Sequence, residues 1–174
     1  RPAASTCGSM AAILFVRFLT AVKERVVGRP ENGGPLQRRE IAMTTIRTFM
    51  TDDHRRCDDL FAETEQAIAK KNLPAAKAAF AHFRNAILAH FDCEEKTLFP
   101  TFEAKTGMRM GPTQVMRMEH SQMRALLDDA VDALEQGNSD DYLGLADTLL
   151  IMMQQHNMKE ENILYPMCDQ HLAA

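Results

Sequence analysis

"HFDCEEKTLFP" (residues 90–100) and "HNMKEENILYP" (residues 156–166) are one design written twice. Each opens on a histidine, places a glutamate four residues later, adds a second acid and closes on Leu-aromatic-Pro. In a helix, positions i and i+4 lie one turn apart on the same face, so each copy points an imidazole and a carboxylate the same way. The 66-residue shift that superimposes His90 on His156 and Glu94 on Glu160 also carries His54 onto His120. Acidic neighbours follow, Asp53 falling on Glu119 and Glu95 on Glu161, and so does the tail, Leu98, Phe99 and Pro100 falling on Leu164, Tyr165 and Pro166. An internal repeat whose matching positions are the chemically reactive ones is the central feature of the chain.

Apolar residues recur at helical spacing on either side of these motifs, and nothing alternates as a strand would. The pattern predicts helices from about Thr45 to Lys70, Leu73 to Lys105, Thr113 to Gln136 and Asp141 to Gln170. "KKNLP", "TGMRMGP" and "GNSD" break them, with Gly137 suited to a C-terminal cap and Ser139 or Asp140 to the next N-cap. Four amphipathic helices of similar length predict an all-α, up-down-up-down four-helix bundle.

Height and facing then bring the reactive residues together. His54 and His90 each lie about 18 residues from the first turn, His120 and His156 about 18 from the second. At 1.5 Å per residue all four stand roughly 27 Å from their turns, in one layer. Phe83, Ile87, His90 and Glu94 form one stripe, and Leu145, Leu149, Met152, His156 and Glu160 another. Met50, His54, Cys57 and Phe61 share a face, as do Met116, His120, Met123 and Leu127. Each histidine replaces a core residue. The long middle connection has to fold back along the axis, because the second helix overruns the third.

Four imidazoles and two carboxylates in a dry interior are costly unless paired. Two divalent metal ions held by His54, His90, Glu94, His120, His156 and Glu160 would resolve that cost. Mixed nitrogen and oxygen donors suit two iron ions first, manganese or zinc next, with positions left for water, an oxo or hydroxo bridge, or a small ligand. A lone core histidine usually has an ordinary hydrogen-bond partner, but four at one height in a chain of six histidines do not fit that reading. His82 and His171 fall outside the pattern and read as surface residues. The twelve methionines read as core filling, with a methionine copper site as a remote alternative. Cys57 and Cys93 do not recur in the second half and read as structural. Asp53, Glu95, Glu119 and Glu161 read as solvated helix charges, the alternative being that they accept the second ring N–H of the ligand histidines.

Composition excludes other classes. The 174 residues carry a net charge of −4 with the signs interspersed, so no basic face invites nucleic acid or a membrane surface. Four cysteines without CxxC pairing suit a reduced, cytoplasmic protein. No nucleophile constellation or glycine-rich phosphate loop is present. The run "MAAILFVRFLTAV" is too short to span a bilayer. Residues 1–42 read either as an appended leader or as a short extra helix on the bundle, ahead of one domain at 43–174.

Together with "DHRRCDDLF" (53–61) and "EHSQMRALL" (119–127), the doubled motif resembles the hemerythrin-like, or HHE cation-binding, family over roughly residues 43–172. The resemblance implies a four-helix bundle with a non-haem di-iron centre bridged by Glu94 and Glu160. It also implies one iron on His54 and His156 and the other on His90 and His120. Two departures stand out. Oxygen carriers of the family have a further histidine where this chain has Arg124, and their last carboxylate is an aspartate five residues after its histidine, whereas Glu160 lies at four. The symmetric four-histidine set is closer to iron-centre repair proteins, although only Cys7 lies in the region where those carry paired cysteines. Three functions follow as expectations. One is a centre that binds or reacts with oxygen, nitric oxide or peroxide. Another is iron delivery or repair of damaged iron–sulfur centres, with an iron–sulfur protein or a second copy of the chain as partner. The third is an iron- or oxygen-responsive regulatory domain.

Overall fold

Helix α1 (Ile46–Ala69) starts where Thr45 accepts a hydrogen bond from the Thr48 N–H, and its free Ile46 N–H donates to Asp169 from the far end of the chain at 2.7 Å. The computed structural model describes residues 45–172; the leader or extra helix expected at 1–42 lies outside them. Next come α2 (Leu73–Cys93), a π-helical turn at Glu94–Leu98, α3 (Phe99–Thr106), α4 (Pro112–Glu135), α5 (Ser139–Lys159), a second π turn at Glu160–Leu164 and α6 (Tyr165–Leu172). Each π turn joins its flanking helices into one rod, so four rods form the all-α bundle and no strand occurs among the described residues. The pairs α1/α2 and α4/α5 are the two helical hairpins, and α3 and α6 extend beyond the π turns to pack on each other. That extension accommodates the overrun of the second helix. Gly107 then ends α3 in the left-handed conformation (φ 75°), and Thr113 and Arg117 of α4 reach back to Glu103.

The repeat extends into the turns. Lys71 adopts φ 54° and Gly137, 66 residues later, φ 72°. In both turns the next N–H reaches back to a helix carbonyl, Asn72 to Ala67 at 3.0 Å and Asn138 to Ala133 at 2.9 Å, closing the helix end in the same way. Asn72 and Asn138 then cap the following helices, each accepting an N–H three residues on at 3.2 Å. The cap of α5 is therefore Asn138, not Ser139 or Asp140. Its amide oxygen lies one residue nearer the turn, within reach of Asp141. Lys71 holds a conformation that a Cβ disfavours. Lys71→Gly is expected to stabilise the fold by up to about 1 kcal/mol, because relief of that strain outweighs glycine's extra unfolded entropy. Urea midpoints of the metal-free proteins would read the change, and an unchanged or lower midpoint would contradict it.

The π turns have a sequence cause. The N–H groups of Phe99 and Tyr165 reach back five residues, to the carbonyls of Glu94 and Glu160. One residue later, Pro100 and Pro166 lack an N–H, and a proline ring crowds the carbonyl four residues before it. Widening the turn relieves that crowding, and such turns often mark functional positions. Both begin on a motif glutamate.

Packing away from the motifs is aromatic. Phe61 meets Phe83 edge-on at 5.1 Å between centroids, and Phe80 meets Tyr142 at 5.6 Å and 89°. Met50, Met116, Met123 and Met153 are buried, as filling methionines should be, and Met152 is half-buried. Among the described residues no helix is long and apolar enough to cross a membrane.

Candidate metal centre

The structure brings all six expected residues into one buried layer. His54, His90, Glu94, His120, His156 and Glu160 are each at most 4% exposed. The antiparallel hairpins set paired histidines at equal height, and their rings converge. The Nε2 atoms of His54 and His90 lie 3.0 Å apart, and so do those of His120 and His156. The imidazoles therefore meet within hairpins, whereas the metal pairing that the resemblance implied runs across them. The carboxylates make the cross-links instead. Glu160 lies 3.3 Å from His54 Nε2 and 3.2 Å from His156 Nε2, while Glu94 lies 3.4 Å from His90 and 3.3 Å from His120.

Behind every imidazole stands an acid from another rod. Nδ1 of His90 bonds Asp53 of α1 at 3.0 Å, and Nδ1 of His120 bonds Glu95 of the first π turn at 2.8 Å. Nδ1 of His156 bonds Glu119 of α4 at 2.9 Å, and Nδ1 of His54 bonds Glu161 of the second π turn at 2.8 Å. The four contacts form a closed ring in which each rod supports the histidine of the next. The reading of these acids as solvated charges is thus overturned. An acid beside one of these histidines reaches sideways to a different helix, where an imidazole of the adjacent rod takes the place of part of its water. Asp53, Glu95 and Glu119 are all held below the ordinary carboxylate range. Burial opposes the shift, and it is outweighed by the facing histidine together with Arg56, Arg124 or Lys159 respectively.

This ring sets the tautomers. A histidine that donates Nδ1–H to a carboxylate presents a lone pair at Nε2, the arrangement a metal ligand needs. Four Nε2 atoms and two carboxylates then face inward, and Glu94 Oε2 and Glu160 Oε1 are buried with no hydrogen-bond partner. Lone pairs 3.0 Å apart beside such oxygens require positive charge among them. Protons supply it in the metal-free protein. Burial would lower the pKa values of His54 and His120, but Glu160 and Glu161 raise the first to about 9 and Glu94 and Glu95 the second to about 9. Histidines 156 and 54 hold Glu160 well below its usual range against its burial. Divalent cations would supply the charge equally well, and the donor set fits them. Donor atoms of Glu94, His120, His156 and Glu160 cluster within 4.8 Å, as do those of His54, His90 and Glu160.

Arg124 offers the centre nothing directly. Its guanidinium bonds Glu95 at 3.0 Å and lies 5.2 Å from the centre of the Phe91 ring, so it braces the acid behind His120. Cys57, Cys93 and Cys168 are free, buried thiols that burial pushes up to about 12, inert as expected of structural cysteines. His82 is exposed; His171 is half-buried, with its ring 6.1 Å from Phe102.

Sequence reasoning missed two residues. Phe91 stacks on His120 at 4.0 Å and 20°, fixing that ring. Tyr165 is fully buried, with its hydroxyl 2.7 Å from Glu94, 2.9 Å from Glu160 and 3.2 Å from His54 Nε2. The signal was present, since Tyr165 is the polar partner of Phe99 in the aligned tails. Burial and the two carboxylates push its phenol well above the ordinary range in the metal-free protein.

Supporting acids orient metal-bound imidazoles, and removing one typically lowers metal affinity about 10- to 100-fold. Glu119→Gln, which leaves His156 a weaker acceptor, is expected to fall near the lower end of that range in a competitive chelator titration. Unchanged affinity would remove Glu119 from the ring's function.

No curated protein and no solved structure matches the chain. Over residues 45–168, however, it matches the family described as the hemerythrin HHE cation binding domain, and it is a member of that family.

Proposed function

We propose that the protein is a non-haem di-iron protein that binds or reacts with oxygen, nitric oxide or peroxide. His54 and His90 would hold one ion, His120 and His156 the other, with Glu94 and Glu160 spanning both. The observation that carries this reading is the convergence of four Nε2 atoms on two buried carboxylates whose Oε2 (Glu94) and Oε1 (Glu160) lack a hydrogen-bond partner. Paired irons would supply two electrons and open positions for a small ligand, and the acid ring would keep the imidazoles neutral and aimed at them. Three free buried thiols are compatible with a reducing cytoplasmic setting.

The deciding experiment is anaerobic reconstitution with Fe(II), a metal count, and optical spectra before oxygen, after oxygen and after its removal, repeated with nitric oxide and peroxide. A visible band that appears with oxygen and leaves on its removal means reversible binding. Permanent conversion to a ferric spectrum means redox chemistry. Two bound irons indifferent to all three reagents would refute the reactivity, and failure to bind metal would refute the whole reading.

Arg124 favours a second reading, iron delivery or repair of iron–sulfur centres, because it is turned outward to Glu95 and adds no fifth histidine to the centre. Iron that moves from the loaded protein to an apo-ferredoxin would support it. Iron that never transfers would exclude it.

A further inference from the structure

One departure of the centre from its twofold repeat adds a polar atom to it. In the first half Phe99 lies over His120, with ring centroids 5.9 Å apart and nearly parallel. In the second half Tyr165 takes the same place beside His54, at 5.7 Å, and adds a hydroxyl. That hydroxyl has three neighbours within hydrogen-bond distance, Glu94 Oε1, Glu160 Oε2 and His54 Nε2. A phenol has one proton to donate. It can satisfy one carboxylate; even where His54 brings a proton of its own, the other carboxylate oxygen is left against the phenol oxygen with no proton between them. Oxygen and nitrogen donors converging in this way are the surroundings of a cation.

The two donor groups differ in the same sense. His120 and His156 share their cluster with both carboxylates, whereas His54 and His90 share theirs with Glu160 alone. The poorer cluster is the one that Tyr165 adjoins.

We propose that Tyr165 is itself a metal ligand, its phenolate oxygen completing the His54, His90 and Glu160 group. This rests on the di-iron reading and goes beyond it, since it makes the two ions inequivalent. On binding, the O–H bond breaks and its proton passes to solvent, while the oxygen lone pair forms the bond to the metal. No electron is transferred in this step. The anionic oxygen donor favours the ferric state at the His54 side, so the two irons differ in potential and in spectrum.

Tyrosine chemistry gives a readout independent of activity. The chain has two tyrosines. The other, Tyr142, is buried against Phe80 and makes no hydrogen bond through its hydroxyl. The whole chain would be loaded with two irons and oxidised fully to the ferric state. Resonance Raman spectra excited in the visible would then be compared for the unaltered protein, Tyr165→Phe and Tyr142→Phe. Phenolate ring modes and a visible charge-transfer band are expected in the unaltered protein and in Tyr142→Phe. In Tyr165→Phe they should fall at least about tenfold. That variant carries the ring already present at Phe99, so the bundle should form, as circular dichroism would verify. If it fails to fold, persistence of the signal in Tyr142→Phe still leaves Tyr165 as its source. Two ferric irons without phenolate modes, or modes that survive in Tyr165→Phe, would overturn this inference alone. Absence of bound iron would overturn it together with the di-iron reading.

Discussion

Glu160→Ala is expected to lose most of its bound metal and, with it, the stability that metal confers. Glu160 belongs to both donor clusters, so its removal damages the two positions together. A ligand present at about 1,000 times its dissociation constant stabilises the native state by about 4 kcal/mol. That increment should vanish in the variant, and metal content and melting temperature should fall in step. The effect on the metal-free protein is separate. Without Glu160, the Nε2 atoms of His54 and His156 lose the buried carboxylate they face. His90→Ala, which removes one imidazole of the first pair, should act in the same direction. Metal analysis and thermal melts with and without added Fe(II) would check both variants. Full occupancy with an unchanged midpoint would overturn the ligand assignment.

Raising the pH from about 6.5 to 9 should weaken the metal-free protein and strengthen metal binding. His54 and His120 have folded pKa values raised from 6.5 to about 9. The stability they contribute is therefore fully present below the unfolded value and is lost as pH rises through the folded one. Taken singly, each shift corresponds to about 3 kcal/mol. The groups facing His54 are Glu160, Glu161, Glu94, the His90 ring and the Tyr165 hydroxyl; those facing His120 are Glu94, Glu95, Glu160 and the His156 ring. Metal must displace those protons, so its affinity climbs over the same window. Asp53, Glu95, Glu119 and Glu160 work at the other end. Their lowered values give stability that is present above about pH 4 and lost as acid titrates them. Urea midpoints of the metal-free and metal-loaded protein at several pH values would read the opposed slopes. Parallel slopes would mean that protons and metal do not compete for this cluster.

Both expectations depend on features of unequal legibility. The fold class and the six-residue cluster could be read from the chain alone. Helical periodicity fixes which residues share a face, and equal spacing from two turns fixes their height, so His54, His90, His120 and His156 had to meet once the hairpins formed. The 66-residue repeat made the pattern unmistakable, down to the paired Asn72 and Asn138 caps. The π turns were less visible. Pro100 and Pro166 inside helical runs announced them, but a proline alone does not say whether a helix ends, kinks or widens.

Periodicity along one helix leaves open which neighbouring helix a side chain reaches. Asp53 and Glu119 are each adjacent to one histidine in sequence and bonded to another in space, because the nearest acceptor for an imidazole lies across the groove on the next rod. The same limit hid the pairing of imidazoles within hairpins and the place of the Tyr165 hydroxyl. In the sequence Tyr165 only aligned with a phenylalanine, Phe99. Only packing of α6 against α1 carries its oxygen to Glu94, Glu160 and His54. Local spacing therefore determined the fold and the donors. The contacts among donors, supporting acids and phenol were decided between helices, where side-chain reach of a few ångströms outweighs any distance along the chain.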